Sequence, residues 1–213
     1  MPRTLDRRLI DRFFTVLSGQ LDRKARVILT GAAAGNLMGG AHPSIDVDFA
    51  LRSIGRSSLN WTDVENAVRK TVRITGVNAD YAEDIDRWGL ISLMDYLKHT
   101  RFYRRFGGIR VEVLAPSYWS IGKMNRYLDS DAKDMVRVFK ARKVPHAGLE
   151  RIWGSALKKS PKSAALFDFR RHAEDFFRHH GRAIWGKNFD AEISIARFWK
   201  AAGIKPVKSH NLV

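Results

Sequence analysis

Ser44-Ile45-Asp46-Val47-Asp48-Phe49-Ala50-Leu51 alternates polar and apolar residues and closes on an apolar run, the pattern of a half-buried β-strand. On such a strand successive side chains point to opposite faces, so Asp46 and Asp48 project from one side, about 6–7 Å apart along the chain. Two carboxylates this close favour a bound cation, and Mg²⁺ is commonly held by one or two carboxylates together with phosphate oxygens and water.

Upstream, Arg26-Val27-Ile28-Leu29-Thr30 reads as a short buried strand that runs into the small-residue turn Gly31-Ala32-Ala33-Ala34-Gly35. A short helix through Asn36, Leu37 and Met38 is expected to follow, closed by Gly39-Gly40. Downstream, Ile109-Arg110-Val111-Glu112-Val113-Leu114 is a clear strand ended by Ala115-Pro116. An amphipathic helix from Leu5 to Leu21 is predicted to open the fold, and another to begin at Thr62 and run to about Val72. Residues 80–86 are acidic and read as a turn or short helix, 88–93 as a strand and 95–106 as a helix. Ser117 and Ser130 stand as N-caps of helices over 118–128 and 131–142. Beyond Pro145 the pattern is helical, with 164–180 and 193–202 as its main segments. These readings predict an α/β (α+β) domain over residues 1–143, a small mixed sheet flanked by helices, followed by a helical, basic region over 144–213.

Composition narrows the function. The 213 residues carry 38 Lys and Arg against 22 Asp and Glu, a net charge of +16, and residues 117–213 hold 20 of the basic but only 9 of the acidic side chains. A field of this sign favours polyanions, nucleic acid first, although an acidic protein partner or simply a well-solvated surface satisfies the same count. With no cysteine, disulfides, thiolate metal sites and cysteine nucleophiles are excluded. No apolar run approaches the ~20 residues of a membrane span and the first residues do not form a signal sequence, so a cytoplasmic protein without a membrane partner is expected.

A strand, a small-residue turn into a helix, a strand bearing D-x-D and a later strand with a third acid resemble the polymerase-beta-like nucleotidyltransferase superfamily. Gly31-Ala32 is followed by thirteen residues before Asp46. A closer resemblance is to bacterial nucleotidyltransferase-like proteins of the abortive-infection and toxin-antitoxin type, carried by His42-Pro43-Ser44-Ile45-Asp46-Val47-Asp48, by Lys123 and Arg126, and by Lys133-Asp134. It covers roughly residues 26–140.

That resemblance implies that Asp46, Asp48 and Glu112 hold Mg²⁺ or Mn²⁺ and act as the catalytic carboxylates. Gly31 and Ala32 would let backbone amides approach a nucleoside triphosphate, Ser44 would donate to phosphate, Lys123 would contact triphosphate oxygens, and Asp134 would orient or neutralise Lys123. The implied reaction moves a nucleoside monophosphate from an NTP to an acceptor with release of pyrophosphate; RNA or tRNA is the first acceptor suggested by the basic C-terminal region, with a protein hydroxyl or a small molecule as alternatives. Three departures stand out: Ala32 replaces the usual Gly or Ser, His42 the usual Arg, and Glu112 the commoner Asp. They keep open a catalytically inactive module that binds nucleotide or nucleic acid, or a toxin–antitoxin component acting through a cognate protein partner.

Plainer readings stand beside these. A D-x-D pair also suits a solvated strand end, Glu112 can pair with Arg110 on its own face, Lys123 can be an ordinary exposed lysine, and Asp134 can pair with Lys133 or Arg137. His172, His179 and His180 lack ligand spacing and read as surface residues. Trp153, Trp185 and Trp199, with the phenylalanines among them, fit a helical core better than a base-stacking surface.

Overall fold

The computed structural model describes residues 5–40, 43–55, 58–86 and 89–205. His42 lies outside the described residues, as does Trp88 at the start of the strand expected over 88–93; residues 89–93 of that segment form no strand.

Helix α1 (Arg7–Gln20) is capped by the Asp6 side chain, which accepts from the Leu9 amide, and buries Ile10, Phe13, Phe14 and Leu17. Strand β1 (Ala25–Leu29) leads into α2 (Gly31–Met38), which begins at Gly31 itself, five residues earlier than expected. Strand β2 (Asp46–Ser53) follows, then α3 (Trp61–Thr75) and β3 (Asn78–Ala82). Asn60, and not Thr62, caps α3 by accepting from the Thr62 amide. A single 3₁₀ turn (Tyr96–Lys98) precedes the hairpin of β4 (Thr100–Phe106) and β5 (Ile109–Leu114). Helices α4 (Pro116–Arg126), α5 (Asp129–Arg142), α6 (His146–Lys159), α7 (Ala165–Trp185) and α8 (Ala191–Ala202) complete the chain.

The α+β expectation holds: a five-stranded mixed sheet, in the order β3-β2-β1-β5-β4, is flanked by helices, with a helical C-terminal region. β1 runs antiparallel to β2 and parallel to β5, and β2 runs parallel to β3 across the α3 crossover.

Two local expectations are corrected. Residues 80–82, expected to open a turn or short helix over 80–86, instead end strand β3, because α3 returns the chain parallel to β2 and supplies a pairing partner that no local pattern announces; residues 83–86 carry no helix or strand. Residues 100–106 are a strand, not a helix, because the Gly107-Gly108 turn folds them back on β5; Gly107 has a φ of +50°.

Phe49 on β2 packs against Phe13 and Phe14 of α1 and stacks on Tyr81 of β3, which in turn stacks on Trp61 of α3. These contacts bury one face of the sheet beneath α1 and α3 and leave the opposite face, with Arg26, Asp46, Asp48, Asp80 and Glu112, for the site. The hydrophobic core continues across residues 143 and 144: Phe139 of α5 meets Trp153 of α6 and Phe176 of α7, and the Trp153 indole donates to Ser120 of α4. The aromatic residues Trp153, Phe169, Phe176, Phe177 and Phe198 are core, whereas Phe167 is exposed. α6 and α8 cross closely at Gly154, where a Cβ would lie 2.8 Å from the Phe198 carbonyl oxygen.

Candidate functional site

Asp46, Asp48 and Asp80 each offer a carboxylate oxygen within 4.8 Å of the others, the one such group of potential metal ligands among the described residues. Asp46 and Asp48 share a face of β2 as the alternation requires. Asp80 stands directly opposite Asp48 in the β2–β3 register, one strand spacing of ~4.8 Å away. Like charges facing each other across a strand pair are destabilising by themselves. Three carboxylates with room for phosphate and water suit a hard divalent cation such as Mg²⁺ or Mn²⁺.

The chain around them holds the cluster in place. Gly31, with a φ of +58°, turns the backbone out of β1 so tightly that a Cβ there would fall 1.7 Å from Asp48 Oδ2. The Thr30 amide donates to the Asp48 carbonyl, and the Ala32 amide, at the start of α2, donates to the Asp48 carboxylate. On the other side of the turn the Trp119 indole donates 2.7 Å to the Gly31 carbonyl, tying α4 to it. Burial, then the charges of Asp46 and Asp80, push the Asp48 carboxyl up to about 6, against the pull of the Ala32 amide and the Lys123 charge. The Ser44 hydroxyl donates to Asp46 Oδ1.

Two of the residues expected to greet phosphate, Ala32 and Ser44, therefore spend their donors on the acidic cluster.

Glu112 is corrected as the third ligand. It sits on the anticipated face, but β5 is two strands from β2, and Glu112 is level with Ile28 and Ala50 instead of Asp48. That places its backbone roughly 10 Å across the sheet and ~7 Å along it from Asp48. Its carboxylate is bound by Arg26 at 2.7 Å, by Arg110 at 2.6 Å and by the Thr100 hydroxyl. Burial alone would raise its pKa; these donors outweigh it and hold the carboxyl below the usual range. The ion pair with Arg110 that the sequence offered as the plainer reading is present, with Arg26 added from β1.

Lys123 and Asp134 do meet. Lys123 Nζ is buried, 3.3 Å from Asp134 and 2.9 Å from Asp131, a residue that sequence reasoning missed. Asp131 also takes two hydrogen bonds from Arg126, at 2.7 and 2.8 Å, and accepts from the Leu128 amide at the start of α5. Burial would raise the Asp131 pKa, but Arg126 and Lys123 hold it below the usual carboxylate range. Asp131 lies eight residues after Lys123, and only the loop between α4 and α5 brings the two together, so spacing gave no signal.

Lys123 and Arg126 line a cleft of about 660 Å³ together with the three carboxylates. Ile85, Ile91, Leu93, Ile121 and Trp119 add an apolar part to its lining, with Asn125 among the polar groups beside it. Arg126 uses two of its five donors on Asp131 and is half-exposed, so others remain for an anion in the cleft.

The histidines behave as surface or packing residues. His172 bonds the Met124 carbonyl and stacks on Tyr127, and His179 pairs with Asp175. No helix among the described residues is long and apolar enough to cross a membrane. Comparison of the chain with protein-family models, with curated proteins and with solved structures found no match.

Proposed function

We propose that the chain is a metal-dependent nucleotidyltransferase that moves a nucleoside monophosphate from an NTP to an acceptor, RNA being the first to test. The observation that carries this reading is the convergence of Asp46, Asp48 and Asp80 in a cleft that also presents Lys123 and Arg126. Acidic ligands for a cation, placed beside fixed positive charge, form a surface for a polyphosphate. A bound Mg²⁺ or Mn²⁺ would neutralise phosphate oxygens and orient them for in-line attack.

The protein's own groups do the rest. Ser44 and the Ala32 amide fix the orientations of Asp46 and Asp48, so little reorganisation is needed when charge develops. Asp131 and Asp134 hold Lys123 at the cleft wall, and the apolar wall suits a nucleobase. In the reaction the acceptor oxygen bonds to the α-phosphorus, the bond to the β-phosphate oxygen breaks, pyrophosphate leaves and the hydroxyl proton passes to a carboxylate of the cluster.

A second reading, nucleotide binding without transfer, is favoured by one observation: the Ala32 amide at the head of α2 is already engaged by Asp48 and is not free for a triphosphate. Incubation with each α-³²P-labelled NTP, Mg²⁺ or Mn²⁺ and total cellular RNA, alongside Asp48→Asn, separates the two. Label on RNA or on the protein, lost in the variant, is the result expected for transfer. Metal-dependent NTP binding with no label on any acceptor supports the second reading.

A further inference from the structure

The residues of α4 that line the acidic cleft stand in an order set by the helix. At about 100° per residue, Lys123, Trp119, Arg126, Gly122, Asn125 and Ile121 follow one another around its axis. Lys123 and Arg126 therefore lie to one side of Gly122, and Asn125 and Ile121 to the other. Gly89 stands against Asn125, for a Cβ there would lie 3.2 Å from Asn125 Nδ2, and Ile91 and Leu93 follow it in the lining.

Gly122 has no packing reason to be glycine. It is exposed in the body of α4, and a Cβ added to it would meet no atom within 4 Å. Gly35 and Gly154, also inside helices, differ: a Cβ would come to 2.9 Å from the Trp119 ring at the first and to 2.8 Å from the Phe198 carbonyl oxygen at the second. A glycine inside a helix costs stability relative to alanine, and what it gives in return here is open room on the lining of the cleft.

Asn125 is half-buried in the same lining, and its side chain makes no hydrogen bond with any described residue. A carboxamide presents a donor beside an acceptor, the pattern that pairs with the edge of a nucleobase. Phosphate-binding charge, a gap, a free carboxamide and an apolar surface thus succeed one another along the cleft, in the order in which a nucleotide presents phosphates, sugar and base.

We propose that Gly122 and Asn125 seat the nucleoside part of the triphosphate: the sugar passes over Gly122, and the base lies against Ile121, Ile91 and Leu93 with its edge on the Asn125 carboxamide. This assignment rests on the reading of the cleft as a triphosphate site, and it narrows the ligand from any metal-bound polyphosphate to a nucleotide. A bare polyphosphate would engage Lys123 and Arg126 and leave Gly122 and Asn125 unused.

The test is calorimetric titration of the full chain, in Mn²⁺ and without RNA, with the α,β-methylene analogue of each NTP and separately with inorganic tripolyphosphate. The methylene bridge blocks transfer, so binding is read alone. The best analogue is expected to bind about tenfold or more tighter than tripolyphosphate. Asn125→Ala, which removes the hydrogen bonds, and Gly122→Leu, which fills the gap, should each cut that margin by about fivefold or more while leaving tripolyphosphate within about twofold of the parent. Alanine and leucine are good helix formers, so neither variant should melt below the parent. Tripolyphosphate bound as tightly as every analogue would overturn the nucleoside seat and leave the triphosphate reading standing. An unchanged margin in both variants, or an equal loss of tripolyphosphate and analogues, would also overturn the seat. Binding of neither probe with the metal present would overturn this inference together with the functional reading beneath it.

Discussion

Replacing Asp48 by Asn should make the metal-free protein more stable. Burial and the neighbouring Asp46 and Asp80 raise the Asp48 carboxyl from 3.8 to about 6. At ~1.4 kcal/mol per pH unit, keeping this group ionised in the folded chain costs roughly 3 kcal/mol at neutral pH. Because the folded value is the raised one, the stability contributed by the protonated group is fully present below pH 3.8 and is lost as the pH climbs through about 6. Asn is neutral at every pH, nearly isosteric, and its carbonyl can still accept from the Ala32 amide.

In EDTA at pH 7, Asp48→Asn is thus expected to gain about 1–3 kcal/mol. For a chain of this size that is a rise in thermal midpoint of roughly 2–10 °C, shrinking toward zero at pH 4. Mg²⁺ or Mn²⁺ should reverse the order, raising the midpoint of the parent and leaving the variant unmoved. Calorimetry or dye-monitored melting across pH, with and without the cation, reads all of this. A variant that is no more stable than the parent in EDTA at pH 7, together with a parent midpoint indifferent to divalent cations, would refute the reasoning.

Three further outcomes are expected. Asp80→Asn should abolish the cation-dependent rise in thermal midpoint, whereas Glu112→Gln should retain it while losing about 1–3 kcal/mol of stability from the cluster with Arg26 and Arg110, as read by melting with and without Mn²⁺. Gly31→Ala should cost about 2–4 kcal/mol in urea unfolding and also lose the cation response, because its Cβ collides with the Asp48 carboxylate and its φ of +58° disfavours an L side chain. Trp153→Ala should cost about 3–5 kcal/mol and still unfold in one transition by both far-UV circular dichroism and fluorescence; two separated transitions would show instead that the helices beyond residue 143 fold apart from the sheet.

What could be read from residues alone was whatever local periodicity carries. The alternation over 44–51 placed Asp46 and Asp48 on one face, and apolar spacing located α1, α3 and the C-terminal helices to within a few residues. Lys123 and Asp134 were paired by the spacing of a family they resemble. Tertiary structure alone decided which third acid lies beside Asp46 and Asp48. Asp80 and Glu112 are both acids on strands, and their distances from Asp48 depend on strand order: β3 is the neighbour of β2, and β5 lies two strands away. Order and register in a sheet are set by crossovers and by the packing of α1, α3 and α4 on its faces, interactions between residues far apart in the chain. For the same reason Asp131 and the direction of the Ala32 amide became visible only once helices and strands were brought together.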